Sequence, residues 1–160
     1  MDNISKHISY DEATKSMTAI RLDIDNTPTK EQIENGKLVA ATCFEPLRGH
    51  FGPLKVNSFF RCVKLNTSIK GSKSSQHCSM EAIDMENIGG LNSQLFIWAK
   101  ANLKFDQLIW EYPNPETHEP EWVHISYTNK RALRNECLVC VKGKYIPYDV
   151  WIKNLVINNN

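Results

Sequence analysis

The order of apolar and polar positions divides the chain into helical and extended stretches. Ser9-Tyr10-Asp11-Glu12 has the form of a helix start, with Ser9 as N-cap and Glu12 three residues on. Asp25-Asn26-Thr27-Pro28 is a turn by composition. Thr29 then caps a helix to about His50, because Ile33, Leu38, Ala40, Ala41, Phe44 and Leu47 fall at helical spacing. Pro46 has no N–H to give and should kink or end that helix, and Gly49 and Gly52-Pro53 stop it.

Beyond Gly52 the period changes. Leu54 to Phe60 reads as a short strand, and Val63 to Ile69 as a short helix closed by Gly71. Lys70 to Ser75 is a polar loop. Glu81 to Glu86 alternates as a strand, Gly89-Gly90 breaks it, and Leu91 to Leu103 returns to helical spacing. Gln107 to Tyr112 and Trp122 to Tyr127 are strands, separated by a loop containing Pro113, Pro115 and Pro120. Leu138 to Tyr148 reads as a hairpin turning at Lys142-Gly143-Lys144. Helices first, then strands with helices between them, predict an α+β fold: a mostly antiparallel sheet with flanking helices. The expected organisation is a single domain over 1–160, with a helical lead-in at 1–50 and a sheet-containing core at 54–148.

Composition narrows the function classes. With 160 residues, 41% hydrophobic and 23% charged, the chain can bury its own core, which argues against disorder or coiled coil. Nineteen basic against 18 acidic residues leave a net charge of +1, so there is no electrostatic case for a nucleic-acid partner or for an anionic membrane. No apolar stretch approaches the ~18 residues of a membrane span, so no membrane insertion is expected. The first residues carry no apolar signal core, so synthesis in the cytoplasm without a signal peptide is expected. The five cysteines are odd in number and irregular in spacing. Cys137-Leu-Val-Cys140 has knuckle spacing but no second pair, and it lies in an alternating apolar strand; reduced, mostly buried thiols are expected.

Three groups of residues carry chemistry. His77 stands in a loop seven residues before Asp84, which lies between Ile83 and Met85, where a lone carboxylate is costly to bury. Glu121 stands three before His124 at the mouth of a strand, and Arg61 follows Ser58-Phe59-Phe60 at the end of another. Two imidazoles and one carboxylate make a three-ligand zinc set with an open fourth position, the catalytic arrangement. A second, unligated carboxylate is then needed to take a proton from water and pass it to the leaving amine; Glu121 is the candidate, provided it lies on a bend rather than in the strand proper. Arg61 supplies a fixed positive charge for a substrate carboxylate or a developing oxyanion. His7, His50 and His118 receive no role, and Trp110 and Trp122 read as core or cleft wall.

The set Ser58-Phe59-Phe60-Arg61-Cys62, then Ser75, His77, Ala82 and Asp84 in register, then Glu121 and His124, resembles the zinc D-Ala-D-Ala carboxypeptidase and L-alanyl-D-glutamate endopeptidase family. The resemblance spans roughly residues 5 to 145 and implies a hedgehog-like DD-peptidase fold. It implies one Zn²⁺ per chain held by His77, Asp84 and His124, Glu121 as general base, Arg61 steadying substrate or transition state, and Ser75 lining the substrate site. The implied substrate is the stem peptide of bacterial peptidoglycan, cut at a terminal D-Ala or an internal L-Ala–D-Glu bond, as in a phage lysin acting at the wall after release or from within a virion. The rival expectations are a non-catalytic virion protein that keeps the fold, and a zinc hydrolase of a non-wall substrate. Three positions depart from the family pattern: Phe59 and Met80 replace glycines, and Cys62 replaces a serine.

Overall fold

A computed structural model of the chain describes residues 3–158. Two short helices open it, α1 (Tyr10–Thr14) and α2 (Met17–Arg21), capped by Ser9 and Ser16. Next comes α3 (Lys30–Val39), closed at its start by a full capping box between Thr29 and Gln32. The helix does not end at Pro46. It widens into a π-helical turn at Ala40–Phe44 and continues as α4 (Glu45–Phe51), with Pro46 in the first turn of α4. A proline is tolerated in a first helical turn, where its missing N–H leaves no lost bond. The expected break is therefore absorbed by a local change of helical pitch.

The rest alternates strand and helix up to α6 and then runs four strands before a last helix: β1 (Leu54–Ser58), α5 (Val63–Ser68), β2 (Ala82–Asn87), α6 (Asn92–Asn102), β3 (Gln107–Glu111), β4 (Trp122–Ser126), β5 (Glu136–Val141), β6 (Lys144–Pro147) and α7 (Tyr148–Asn158). One six-stranded sheet forms, in the order β1-β2-β4-β3-β5-β6. The fold is α+β as expected, but the sheet is mixed: β3 and β5 run parallel while the other four pairings are antiparallel. After β4 the chain crosses the start of β3 to reach its free edge. Asp106 fixes that crossing. Its carboxylate accepts from Arg131 Nη1 and Nη2 at 2.7 Å each and from Arg134 Nε at 3.0 Å, and its carbonyl accepts from Glu136 N at 3.1 Å.

The sheet has two different faces. Ile83 and Met85, Val123 and Ile125, Leu108 and Trp110, and Val139 alternate onto one face and are buried in the main core with Phe44, Leu47, Leu95 and Phe96 from the helices. The register places Ser58, Asp84, His124, Ile109 and Leu138 in one row across the opposite face. The next row holds Lys55, Glu86, Trp122, Glu111 and Cys140. The predicted turn at Lys142-Gly143 is present, with both residues at positive φ. Helix α7 follows it and packs Trp151, Ile152 and Leu155 on the core.

Candidate metal centre and cleft

The strand register explains how Asp84 can lie between two core residues: Ile83 and Met85 face the helices, and Asp84 faces the other way. Its cross-strand partner is His124. His77 arrives from outside the sheet, on a 3₁₀ turn at Gln76–Ser79. A bulge at Asn57 shifts the β1 register so that Ser58 faces Asp84 and the chain then turns toward that 3₁₀ turn. The Arg61 N–H bonds to the His77 carbonyl at 3.2 Å, and the His77 Nδ1 lies 2.7 Å from the Phe59 carbonyl.

The three side chains meet. His124 Nδ1 is 2.8 Å from Asp84 Oδ1, His77 Nε2 is 3.2 Å from Asp84 Oδ2, and the two imidazole nitrogens are 3.3 Å apart. His77 is 1% exposed, Asp84 7% and His124 8%. Burial alone would raise the Asp84 carboxyl, but the two histidines outweigh it and hold it well below the usual carboxylate range. Burial pushes His77 down, toward the neutral imidazole. A carbonyl oxygen only accepts, so His77 Nδ1 carries the proton and its Nε2 presents a lone pair. That lone pair faces the Asp84 carboxylate, an arrangement of acceptor on acceptor that a cation relieves. One donor atom from each residue lies within 4.8 Å of the others, so the cluster can hold a metal ion. The Phe59 carbonyl is the outer partner that fixes the tautomer of His77.

Asp84 opens this cluster onto a cleft of about 570 Å³, whose lining does not include His77 or His124. Asp84, Ser58, Trp122 and Arg61 line its sheet side, Leu65 and Ile69 line it from α5, and Lys15 and Met17 from the lead-in. Arg61 Nε is buried with no hydrogen-bond partner. The Arg61 loop is tied to the lead-in through Asn26: its Oδ1 accepts from Cys62 N at 2.7 Å, and its Nδ2 donates to the Thr14 carbonyl at 2.8 Å and the Phe60 carbonyl at 3.3 Å.

The other expected site residues are placed differently. Ser75 is half-buried at the start of the 3₁₀ turn and is not among the cleft-lining residues; Ser58 is. Glu121 does lie on a bend just before β4, but it is exposed and outside the cleft lining, and its N–H bonds to the Glu111 carbonyl at 2.8 Å. The residue that the sequence reading passed over is Glu111, 7% exposed on the His124 face of the sheet. Burial pushes its carboxyl up, His124 opposes that, and Asp84 adds to it.

The departures from the family pattern have physical explanations. Phe59 is a buried core residue. Cys62 takes a serine's part, since its Sγ accepts from Leu65 N at 3.4 Å as the N-cap of α5. Met80 stands at φ 59°, in the left-handed region, which accounts for glycine being usual there.

The sequence model of the family described as Peptidase M15 matches residues 6–126. The chain belongs to that family. Peptidase M15 proteins are zinc-dependent metallopeptidases that act on peptidoglycan-type substrates. A comparison with curated proteins gives no match. Among the described residues no helix is long and apolar enough to cross a membrane.

Proposed function

We propose that the protein is a zinc peptidase that hydrolyses the peptide part of bacterial peptidoglycan, with His77, Asp84 and His124 as the metal ligands. The observation that carries this reading is the buried His-Asp-His cluster, whose Asp84 lines a cleft that also presents an arginine. His77, Asp84 and His124 would hold the zinc, which when bound would supply a water of lowered pKa, toward ~7, and a Lewis acid for the carbonyl oxygen. The chain's own residues do the rest. The Phe59 carbonyl holds His77 in the tautomer that offers Nε2. Arg61, whose Nε has no protein partner, receives a substrate carboxylate or the developing oxyanion. Lys15, also in the cleft lining, adds a second positive charge. Trp122 gives the stem peptide an apolar surface beside the scissile bond. A carboxylate near the cluster must still move a proton from water to the departing amine.

The test is the zinc content of the purified protein together with release of peptides from purified sacculi. One zinc per chain with cleavage supports the reading, and His77→Ala should lose both. Zinc with cleavage of other peptides but not of sacculi would point to a non-wall substrate. A protein that holds no zinc and cuts nothing would be a structural or binding component that keeps the fold.

A further inference from the structure

We infer that Glu111, rather than Glu121, is the carboxylate that takes a proton from the attacking water and returns it to the departing amine. The inference rests on the peptidase reading above and assigns the one role that reading leaves open.

Register is the first argument. Ile109 pairs with His124 and Glu111 pairs with Trp122, so Glu111 and His124 share a face and stand diagonally across adjacent strands. Diagonal neighbours have Cα atoms roughly 7–8 Å apart, within the reach of a glutamate side chain. Trp122, its direct partner, lines the cleft. Asp84 lies in the same row as His124, and the charges of His124, Asp84 and Arg61 all act on Glu111.

Burial is the second. A buried carboxylate is costly without a cation or a function. Among the described residues Glu111 forms no salt bridge, in contrast to Asp106, which two arginines hold. Its neighbours in the row are Trp122 and Cys140; the Cys140 thiol hydrogen-bonds the carboxylate, but neither neighbour offers a positive charge. Glu121 has neither property: it lies on the bend before β4, outside the paired register, and it is exposed. Of the two carboxylates that line the cleft, Asp84 is a proposed ligand, and Glu12 is exposed and belongs to the lead-in helix α1.

The step balances. The water oxygen bonds to the peptide carbonyl carbon as one of its protons passes to Glu111. The C–N bond then breaks as Glu111 gives that proton to the nitrogen. One water is consumed, an acid and an amine are formed, and Glu111 returns to its starting state.

The experiment compares Glu111→Gln, Glu121→Gln and Glu12→Gln in the full chain, each loaded with zinc and assayed on a peptidoglycan-derived peptide. Glu111→Gln should keep one zinc and lose about 10²–10⁴ in rate, the usual worth of general-base catalysis. Glu121→Gln should stay within about threefold of the parent, and Glu12→Gln should lose less than Glu111→Gln. Glu111→Asp keeps a shortened carboxylate and should fall between parent and Gln, which guards against a Gln variant that fails to fold. A second readout needs no turnover. The visible spectrum of the cobalt-substituted protein is titrated between about pH 5 and 9, where a carboxylate facing the metal shapes the pH-dependent change. That change should be displaced in Glu111→Gln and preserved in Glu121→Gln. Parent-like cleavage by Glu111→Gln, or loss confined to Glu121→Gln or Glu12→Gln, overturns the assignment. A parent that holds zinc but cuts no wall peptide overturns the peptidase reading instead, and the cobalt spectrum then decides the placement of Glu111 alone.

Discussion

Gly36 and Met80 form a complementary pair, and a double-mutant cycle should show it. Gly36 sits inside α3, where glycine costs about 1 kcal/mol relative to alanine. On helix propensity alone Gly36→Ala would stabilise the protein by that amount. The structure reverses the expectation, because a Cβ at position 36 would stand 2.8 Å from Met80 Cε and Sδ and 2.9 Å from its Cγ. Met80 is fully buried, so its side chain has little room to withdraw. Overpacking of this kind costs about 1–3 kcal/mol, which leaves Gly36→Ala between about neutral and 2 kcal/mol destabilising. Met80→Gly loses about 2–5 kcal/mol of packing and recovers roughly 1–2 from the left-handed backbone. In that background the clash is gone, and Gly36→Ala should now stabilise by about 1 kcal/mol. The coupling, about 1–3 kcal/mol, is read from urea denaturation of the four proteins. Near Tm each kcal/mol corresponds to ~2–4 °C in a chain of this size. If Gly36→Ala has the same effect in both backgrounds within about 0.5 kcal/mol, the packing argument is refuted. The pair also bears on the site, because Gln32 and Asn35 of the same helix donate to the Cys78 and Ser79 carbonyls at 2.9 Å, beside His77. Gly36→Ala should therefore weaken zinc binding in a chelator competition, and Met80→Gly should restore part of it.

Saturating zinc at 100 times its Kd should raise stability by ~2.7 kcal/mol, read as a rise in Tm of roughly 5–10 °C that Asp84→Ala abolishes and Arg61→Ala keeps. Asp106→Ala should cost about 2–3 kcal/mol, toward the low end for a broken buried ion pair because both arginines are part-exposed and can be solvated. Arg131 and Arg134 outweigh burial and hold the Asp106 carboxyl well below its unfolded value of ~3.9. Its stabilisation is therefore complete above that pH and lost as pH falls through the folded value; the gap between parent and variant, followed by thermal melts, should narrow only below about pH 4. Burial pushes Cys43 up to about 12 and Cys140 up to about 11, so both thiols should resist a thiol reagent at pH 8 in the native protein, while all five react in denaturant. A Cys137–Cys140 disulfide found by mass spectrometry would contradict this.

What the sequence made legible were features set by one stretch of chain. Ser9 and Thr29 mark their helices because capping is local. Asp84 stands out because the alternation of its own strand exposes a carboxylate between two core positions, and His124 for the same reason. Glu111 was not legible in the same way. In QLIWE it is one polar residue at a strand end, and only the neighbourhood of β3 and β4 gives it a relation to His124. The parallel β3–β5 pairing was hidden for a related reason, since it depends on a crossing held by Asp106, Arg131 and Arg134, residues that look like ordinary surface charges in the sequence. Helix α7 lies beyond the predicted hairpin and was not expected, although Trp151, Ile152 and Leu155 have helical spacing. The π turn cannot be read from Pro46, which predicts that the helix must adjust but not how.

The lead-in and the sheet divide the work of the site between them. The sheet supplies two of the proposed ligands, Asp84 and His124, which pair directly across β2 and β4 and so are fixed by backbone hydrogen bonds. The third, His77, lies off the sheet on a short 3₁₀ turn, an element too small to hold its own shape. Its shape is imposed from outside: Gln32 and Asn35 bond its carbonyls, Met80 locks into the groove at Gly36, and the Arg61 N–H and Phe59 carbonyl grip His77 itself. The Arg61 loop is in turn held by Asn26, between α2 and α3. The helices before residue 54 thus place the ligand and the cation that the sheet cannot reach, and they close the cleft with Lys15 and Met17. On the proposed ligand set, metal binding would depend on residues more than 30 positions upstream of any ligand, and substitutions at Asn26 or Gln32 should act on the centre through the geometry of His77 and Arg61.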